Sequence, residues 1–354
     1  MKTILFILPD LDMGGAEKII VTIINNLDKT RFTPKLLLMR KEGYYLKLLD
    51  KDTEIIDIKT KRIRNAFFPI LKTIRRLKPD IVFGGWGEVS AYLAPIIPLF
   101  PKIRFIARET NIVSQHVTRR EIKFFYHFYN NYNTIIAQSE DMRLDLIQNI
   151  KIKESKIVKI NNPVDLDLIE SRLLEDISLP FSKEDKNVLA IGNLSYRKGF
   201  DNLLHVFSYL KEENIHLYIL GDGDDKEKLW RQKEELNLDK VHFLGKITNP
   251  FPYLKNADLF ILSSRYEGFP NVLLEAGACG TFSLVNNCKG GINEIIQPNI
   301  NGKTATIEEY ENFAAEIKKV VEEEHDGEMI KDSIRKRFSK EIIVKQYEEL
   351  FTAI

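Results

Sequence analysis

Cysteine is scarce in this chain, with only Cys279 and Cys288 among 354 residues. Their spacing makes neither a zinc-ligand pattern nor a disulfide framework, so both read as free thiols of a cytosolic protein. Long apolar runs are also missing, and no segment approaches the ~20 residues of a membrane span. The apolar start is short and ends in Pro9-Asp10-Leu11-Asp12 without a small-residue cleavage site. It reads as a strand rather than a signal peptide. The chain has no internal repeat and no low-complexity run. It also lacks the three spaced glycines of a dinucleotide fingerprint and any basic motif of a known nucleic-acid-binding module, so nucleic acid is not an expected partner.

An overall charge of +1 conceals an asymmetry. Residues 1–160 hold 28 basic against 17 acidic side chains, a net of +11, whereas residues 161–354 hold 24 against 34, a net of −10. Between Asp57 and Asp80 there is no acidic residue but eight basic ones, interleaved with Phe67, Phe68, Ile70, Leu71 and Ile74. Pro69 suits the first position of a helix, which leaves Phe67 and Phe68 in the loop before it. With Arg62 and Arg64, these two phenylalanines are the candidates for contact with an anionic membrane surface. A second aromatic run, Phe124-Phe125-Tyr126-His127-Phe128-Tyr129, reads as core.

An apolar share of 44% and a length of 354 residues suit two soluble domains. Strand and helix signals alternate, which predicts βα units and parallel sheets. Strands are expected at 2–8, 34–39, 54–58, 80–83, 104–107, 134–137 and 156–160. After a polar connection running to Lys186, they resume at 187–191, 216–220, 241–244, 258–262 and 281–285. Helices are expected at 199–211, 225–236 and 307–323, with a Ser339-capped helix closing the chain at 342–351. The resulting fold class is α/β, with two doubly wound Rossmann-like domains facing each other across a cleft.

Several strand-to-helix loops carry residues suited to binding. Glu267-Gly268-Phe269-Pro270-Asn271 and Glu275 straddle the end of a buried strand and the start of a helix, where ligands bind in open parallel sheets. Gly14 and Gly15 open the first helix, and paired glycines at a helix N-terminus admit close approach of an anion. Arg197 and Lys198, followed by Gly199, can clamp a diphosphate, Arg as a fork and Lys as a point charge. Gly290, Gly291 and Glu294 start another helix and are candidates for sugar or phosphate contact. His116 is a candidate catalytic group because of the polar cluster before it. The Asp-x-Asp triplets at 10–12, 165–167 and 222–224 read as turn and cap residues, and no metal is expected.

Together these segments resemble family 4 of the retaining glycosyltransferases (glycosyl transferases group 1), which have the GT-B fold. The resemblance rests on Gly14-Gly15-Ala16-Glu17, on Gly192-Asn193-Leu194 with Arg197-Lys198-Gly199, and on Phe243-Leu244-Gly245 through Glu267-Gly268-Phe269-Pro270-Asn271 to Glu275-Ala276. It implies an acceptor-binding domain over 1–165, a nucleotide-sugar domain over 166–338, and a terminal helix, 339–354, returning to the first domain. It also implies that Glu275 holds the donor ribose and that Glu267 and the backbone of 269–271 hold the donor sugar. Arg197 and Lys198 would bind the diphosphate and stabilise it as it leaves, and the base would lie near 245–251. The expected reaction is metal-independent transfer from a nucleoside-diphosphate sugar, a UDP-sugar first, to a lipid-linked saccharide in surface polysaccharide synthesis. A nucleotide-sugar epimerase of the same fold and a non-catalytic subunit are the alternatives.

Overall fold

The computed structural model describes residues 1–354, which divide into two compact units. Unit one comprises Met1–Pro163 with Lys340–Ile354, and unit two comprises Val164–Ser339.

Unit one is built on seven parallel strands in the order β3-β2-β1-β4-β5-β6-β7. They are β1 (Lys2–Leu8), β2 (Phe32–Leu38), β3 (Glu54–Asp57), β4 (Ile81–Gly84), β5 (Arg104–Arg108), β6 (Thr134–Ala137) and β7 (Ile157–Lys159). Helices α1 (Gly15–Asn26), α2 (Ile63–Leu77), α3 (Gly87–Leu93), α4 (Val113–His116), α5 (Arg120–Tyr126) and α6 (Glu140–Gln148) connect them. Successive side chains of a strand point to opposite faces. In β1, Leu5 and Ile7 therefore join one core while Ile4, Phe6 and Leu8 join the other. A strand buried on both faces reads as a continuous apolar run, which is why these strands stand out in the sequence.

Unit two has six parallel strands in the order β10-β9-β8-β11-β12-β13. They are β8 (Lys186–Ile191), β9 (Ile215–Leu220), β10 (Val241–Gly245), β11 (Leu259–Leu262), β12 (Ser283–Asn286) and β13 (Gly302–Ala305). Its helices are α7 (Leu166–Leu173), α8 (Phe200–Phe207), α9 (Lys226–Glu235), α10 (Phe251–Asn256), α11 (Asn271–Ala278), α12 (Ile292–Ile295), α13 (Tyr310–Glu322) and α14 (Gly327–Phe338). The last helix, α15 (Lys340–Ala353), belongs to unit one, where Ile343, Val344, Tyr347 and Phe351 complete its second core. Phe351 meets Phe6, Phe32 and Phe83 edge-on.

Three expectations need correction. The stretch before Lys186 is not a bare connection, because it contains α7, whose first turn is capped by the Asp165 carboxylate accepting from Leu168 N at 3.1 Å. Pro69 lies inside α2 rather than at its start, so Phe67 and Phe68 are helical. Interior proline costs a helix a hydrogen bond. Here Ala66, Ile70, Leu71 and Ile74 bury one stripe of α2, and that burial offsets the loss. The 124–129 run is only partly core: Tyr126 and Tyr129 are buried, whereas Phe124 is 57% exposed.

Candidate active site

The expected diphosphate clamp sits on the loop between β8 and α8, and it is bound tightly to the loop after β11. These two strands are neighbours in the sheet, so their carboxyl ends bring the loops together. Residues 196–198 form a single tight turn that ends at Gly199. Gly199 has φ +65°, and a Cβ there would lie 2.2 Å from the carbonyl oxygen of Ser263, so only glycine fits. Arg265 N donates to Arg197 O at 2.8 Å, and Ser263 Oγ donates to Lys198 O at 2.8 Å. The Arg265 guanidinium donates to Tyr196 O at 2.6 Å, grips Asp201 through two 2.8 Å bonds, and lies 4.0 Å from the Tyr196 ring centroid. The backbone that carries Arg197 and Lys198 is thus fixed from several sides.

Glu267 lies in the same unit as these cations and bonds to both. Arg197 Nη1 donates to Glu267 Oε2 at 2.7 Å, while Lys198 Nζ and Ser264 Oγ donate to Oε1 at 2.5 and 2.6 Å. The Glu267 side chain is only 5% exposed. Burial pushes its carboxyl pKa up, but Lys198 and then Arg197 outweigh that and hold it below the ordinary carboxylate range. It is therefore an anion at neutral pH, and one negative charge against two positive ones leaves the cluster with a net positive charge. Such a cluster attracts an anion, and the better exposed Arg197 offers the free edge.

The remaining donor-side residues surround this cluster. Glu267 N donates to Lys289 O, and Gly291 N donates to Gly268 O, each at 2.9 Å. Gly290 and Gly291 consequently lie against the Glu267 backbone and the Phe269 ring. Phe269 is buried, Pro270 precedes the first turn of α11, Asn271 opens that helix, and Glu275 stands half-buried one turn on. Glu294 is in the single turn of α12, where Arg337 donates to the carbonyls of Glu294 and Ile295 at 2.8 Å.

Gly14, Gly15 and His116 belong to unit one. Glu17 folds back over the glycine loop, so that a Cβ on Gly14 would lie 1.9 Å from its Oε2. The negative group favoured at this helix start is thus the chain's own carboxylate, and burial raises its pKa. His116 ends α4 and borders a pocket between the ends of β4 and β5.

Two groups of functional interest have little signal in the sequence. One is the Arg265–Asp201 pair, whose members are 64 residues apart. The other is Glu109, 2% exposed, which accepts from Tyr129 Oη and from Tyr126 Oη, the latter at 3.2 Å. Burial raises the Glu109 carboxyl to about 7 against the opposing effect of these two hydrogen bonds.

Two all-parallel sheets of this order match solved structures along the whole chain. Anabaena HepE in complex with UDP and glucose superposes with a TM-score of 0.83 at 19% identity, covering 100% of both chains. A glycosyltransferase from Rickettsia africae gives 0.80 at 20% identity, over 99% of this chain and 98% of that one. The fold is GT-B. Residues 13–168 match the model of Glycosyltransferase Family 4, and residues 172–339 that of Glycosyl transferases group 1. The chain belongs to the family-4 glycosyltransferases. It is 29% identical to an uncharacterised glycosyltransferase of Methanocaldococcus jannaschii, a match that spans 68% of this chain but only 63% of that protein's length. It is 28% identical, over 89% of this chain and 88% of the other, to a Campylobacter jejuni enzyme. That enzyme is the N-acetylgalactosamine-N,N'-diacetylbacillosaminyl-diphospho-undecaprenol 4-alpha-N-acetylgalactosaminyltransferase.

Proposed function

We propose that this protein moves a sugar from a nucleoside-diphosphate donor, a UDP-sugar first, to a hydroxyl of a lipid-linked saccharide. The pathway we assign is bacterial surface polysaccharide synthesis. The observation that carries the donor half is the Arg197–Glu267–Lys198 cluster, a preorganised positive site at the carboxyl edge of the second sheet. Relatives supply the rest: one solved fold neighbour holds UDP and glucose, and the Campylobacter enzyme's name places its acceptor on diphospho-undecaprenol.

In this reading the bond between the anomeric carbon and the phosphate oxygen breaks through an oxocarbenium-like transition state. Negative charge grows on the departing diphosphate, where Arg197 and Lys198 stabilise it, as preorganised charges do best. The acceptor oxygen attacks from the same face and its proton passes to the diphosphate, so the anomeric configuration is retained without an enzyme nucleophile. With two cations already at the phosphates, no metal is required. Glu275 anchors the ribose.

The membrane contact belongs to the same proposal. On α2, Phe68 is 77% exposed beside Arg64, with Arg62 at the helix start, whereas Phe67 packs on the core. This narrows the contact to Arg62, Arg64 and Phe68, and would place the enzyme peripherally at the inner face of the cell membrane. The deciding experiment is a nucleotide-sugar panel, screened by thermal shift and then for transfer to lipid-linked acceptors. Nucleotide release that depends on acceptor is expected, with product of unchanged anomeric configuration in the presence of a chelator. Donor rearrangement without acceptor, or absence of donor binding across the panel, would overturn the proposal.

A further inference from the structure

The cluster of Arg197, Lys198 and Glu267 has a support that lies on neither of the loops carrying those residues. Asn286 ends β12, the strand that stands between β11 and β13 in the second sheet. It is 3% exposed, and its side-chain amide is used at both ends. Nδ2 donates to the carbonyl oxygen of Ser264 in the loop after β11, and Oδ1 accepts from Ile307 N beyond β13, each at 3.0 Å. One partner is an acceptor and the other a donor, so the amide can face only one way. Asn286 thus straps the carboxyl-end loops of both neighbouring strands to its own strand.

Ser264 carries this strap to the cluster. It is fully buried, and its hydroxyl donates to Glu267 Oε1 at 2.6 Å, the oxygen that also receives Lys198 Nζ. The carbonyl of Ser264 is held by Asn286 and its hydroxyl by Glu267, which fixes the residue at both ends. Without the amide the Ser264 peptide can turn, and such a turn moves the hydroxyl away from Glu267 Oε1. Hydrogen bonds to an ionised carboxyl favour that form, and Ser264 is among the groups that hold Glu267 below its ordinary range.

We infer that Asn286 is a positioning residue for the diphosphate clamp, acting through Ser264 on Glu267 and so on Arg197 and Lys198. The inference rests on the proposed donor reading of that clamp. Asn286→Asp isolates the link, because a carboxylate still accepts from Ile307 N but cannot donate to Ser264. Ser264→Ala removes the next step. Calorimetric titration with UDP reads the clamp without an acceptor, and steady-state transfer reads kcat. Each variant is expected to weaken UDP binding and lower kcat about 10- to 100-fold, the range for a lost hydrogen bond to a charged group. The double variant should be no worse in either quantity than the worse single one, because the two steps lie in series. A role in the fold alone would lower melting temperature without that coupling. If Asn286→Asp does not fold, Asn286→Ser takes its place, since a hydroxyl is too short to bridge both partners. Wild-type UDP affinity and kcat in the Asn286 variant, or losses that add in full, would overturn the inference. If the wild type binds neither UDP nor another nucleoside diphosphate, the donor reading fails and the inference with it.

Discussion

Arg265 and Asp201 form a two-bond ion pair, and the same guanidinium holds the Tyr196 carbonyl. The pair thereby ties the turn that bears Arg197 and Lys198 to the loop that bears Glu267. Neither residue needs to touch the donor to matter. Arg265→Gln keeps some hydrogen bonding but loses the charge and the fork, and the turn loses its outer support. Transfer kcat is expected to fall about tenfold to a hundredfold, the cost of misplacing groups that act on a transition state. Asp201→Asn should do the same more weakly, and the double variant should be no worse than Arg265→Gln, because partners in one pair are not additive. Steady-state kinetics on the three proteins checks this. Full additivity would show that the two residues do not act as a pair, and a loss confined to melting temperature that the pair serves only the fold.

Glu267 is both counter-charge and scaffold for Arg197 and Lys198. Glu267→Gln leaves Lys198, with a side chain 11% exposed, lacking its ionic partner. Removing one member of a buried pair costs on the order of 3 kcal/mol. Melting temperature should fall, and turnover should fall on the order of a hundredfold, as for Arg197→Ala and Glu275→Ala. The sign with pH follows from the lowered carboxyl. Its contribution is complete above the ordinary glutamate value near ~4.3 and is lost as pH drops through the depressed folded value. The stability gap between wild type and Glu267→Gln should therefore be steady from pH 5 to 8 and shrink only in stronger acid, as denaturant titrations at several pH values would register.

Which parts of this arrangement are legible in the sequence depends on the range of the interactions. Buried parallel strands are continuous apolar runs, so β1, β6 and β9 stand out within a residue of their ends. The edge strand β13, Gly-Lys-Thr-Ala, has no such run and escapes notice, as does α14, whose buried stripe is only Ile330, Ile334 and Phe338. The loops around Arg197 and Glu267 are recognisable one by one. Their contact is not, because 70 residues separate the two and only the adjacency of β8 and β11 joins them. Glu109 is harder still: it lies inside Arg108-Glu109-Thr110-Asn111, and its tyrosine donors are 17 and 20 residues away, at the end of α5 and in the turn after it.

The Glu109 carboxyl should show the opposite pH response to Glu267. Its folded value of about 7 lies above the unfolded one near ~4.3. The folded state therefore keeps a proton that the unfolded chain has released, and stability falls as pH rises between these values. At one pKa unit per ~1.4 kcal/mol, the loss between pH 4 and 8 is up to about 3 kcal/mol. The charged and titratable groups facing Glu109 are Tyr126, Tyr129, Arg108 and Asp145. The tyrosines, raised well above their usual value by burial, stay neutral throughout this range. Glu109→Gln should flatten the slope, so that the variant gains on wild type as pH rises from 5 to 8. Parallel stability curves for the two proteins would place the Glu109 value near that of an ordinary carboxyl.

The exposed face of α2 makes the proposed membrane contact testable by itself. Phe68 is 77% exposed and Phe67 is packed on the core, so replacing both would confuse membrane affinity with folding. Arg62→Ala, Arg64→Ala and Phe68→Ser together avoid that problem. Each basic residue near an anionic bilayer contributes about 1 kcal/mol, and an inserted phenylalanine contributes roughly 1.5–3 kcal/mol when fully buried. The triple variant should therefore float with anionic liposomes at least 100-fold less readily than wild type. Its melting temperature should stay within a degree or two, since surface changes away from packed features are nearly neutral. Added salt should weaken wild-type flotation, because exposed charges are screened over ~8–10 Å at physiological ionic strength. Equal flotation of the variant and the wild type would remove α2 from the membrane contact.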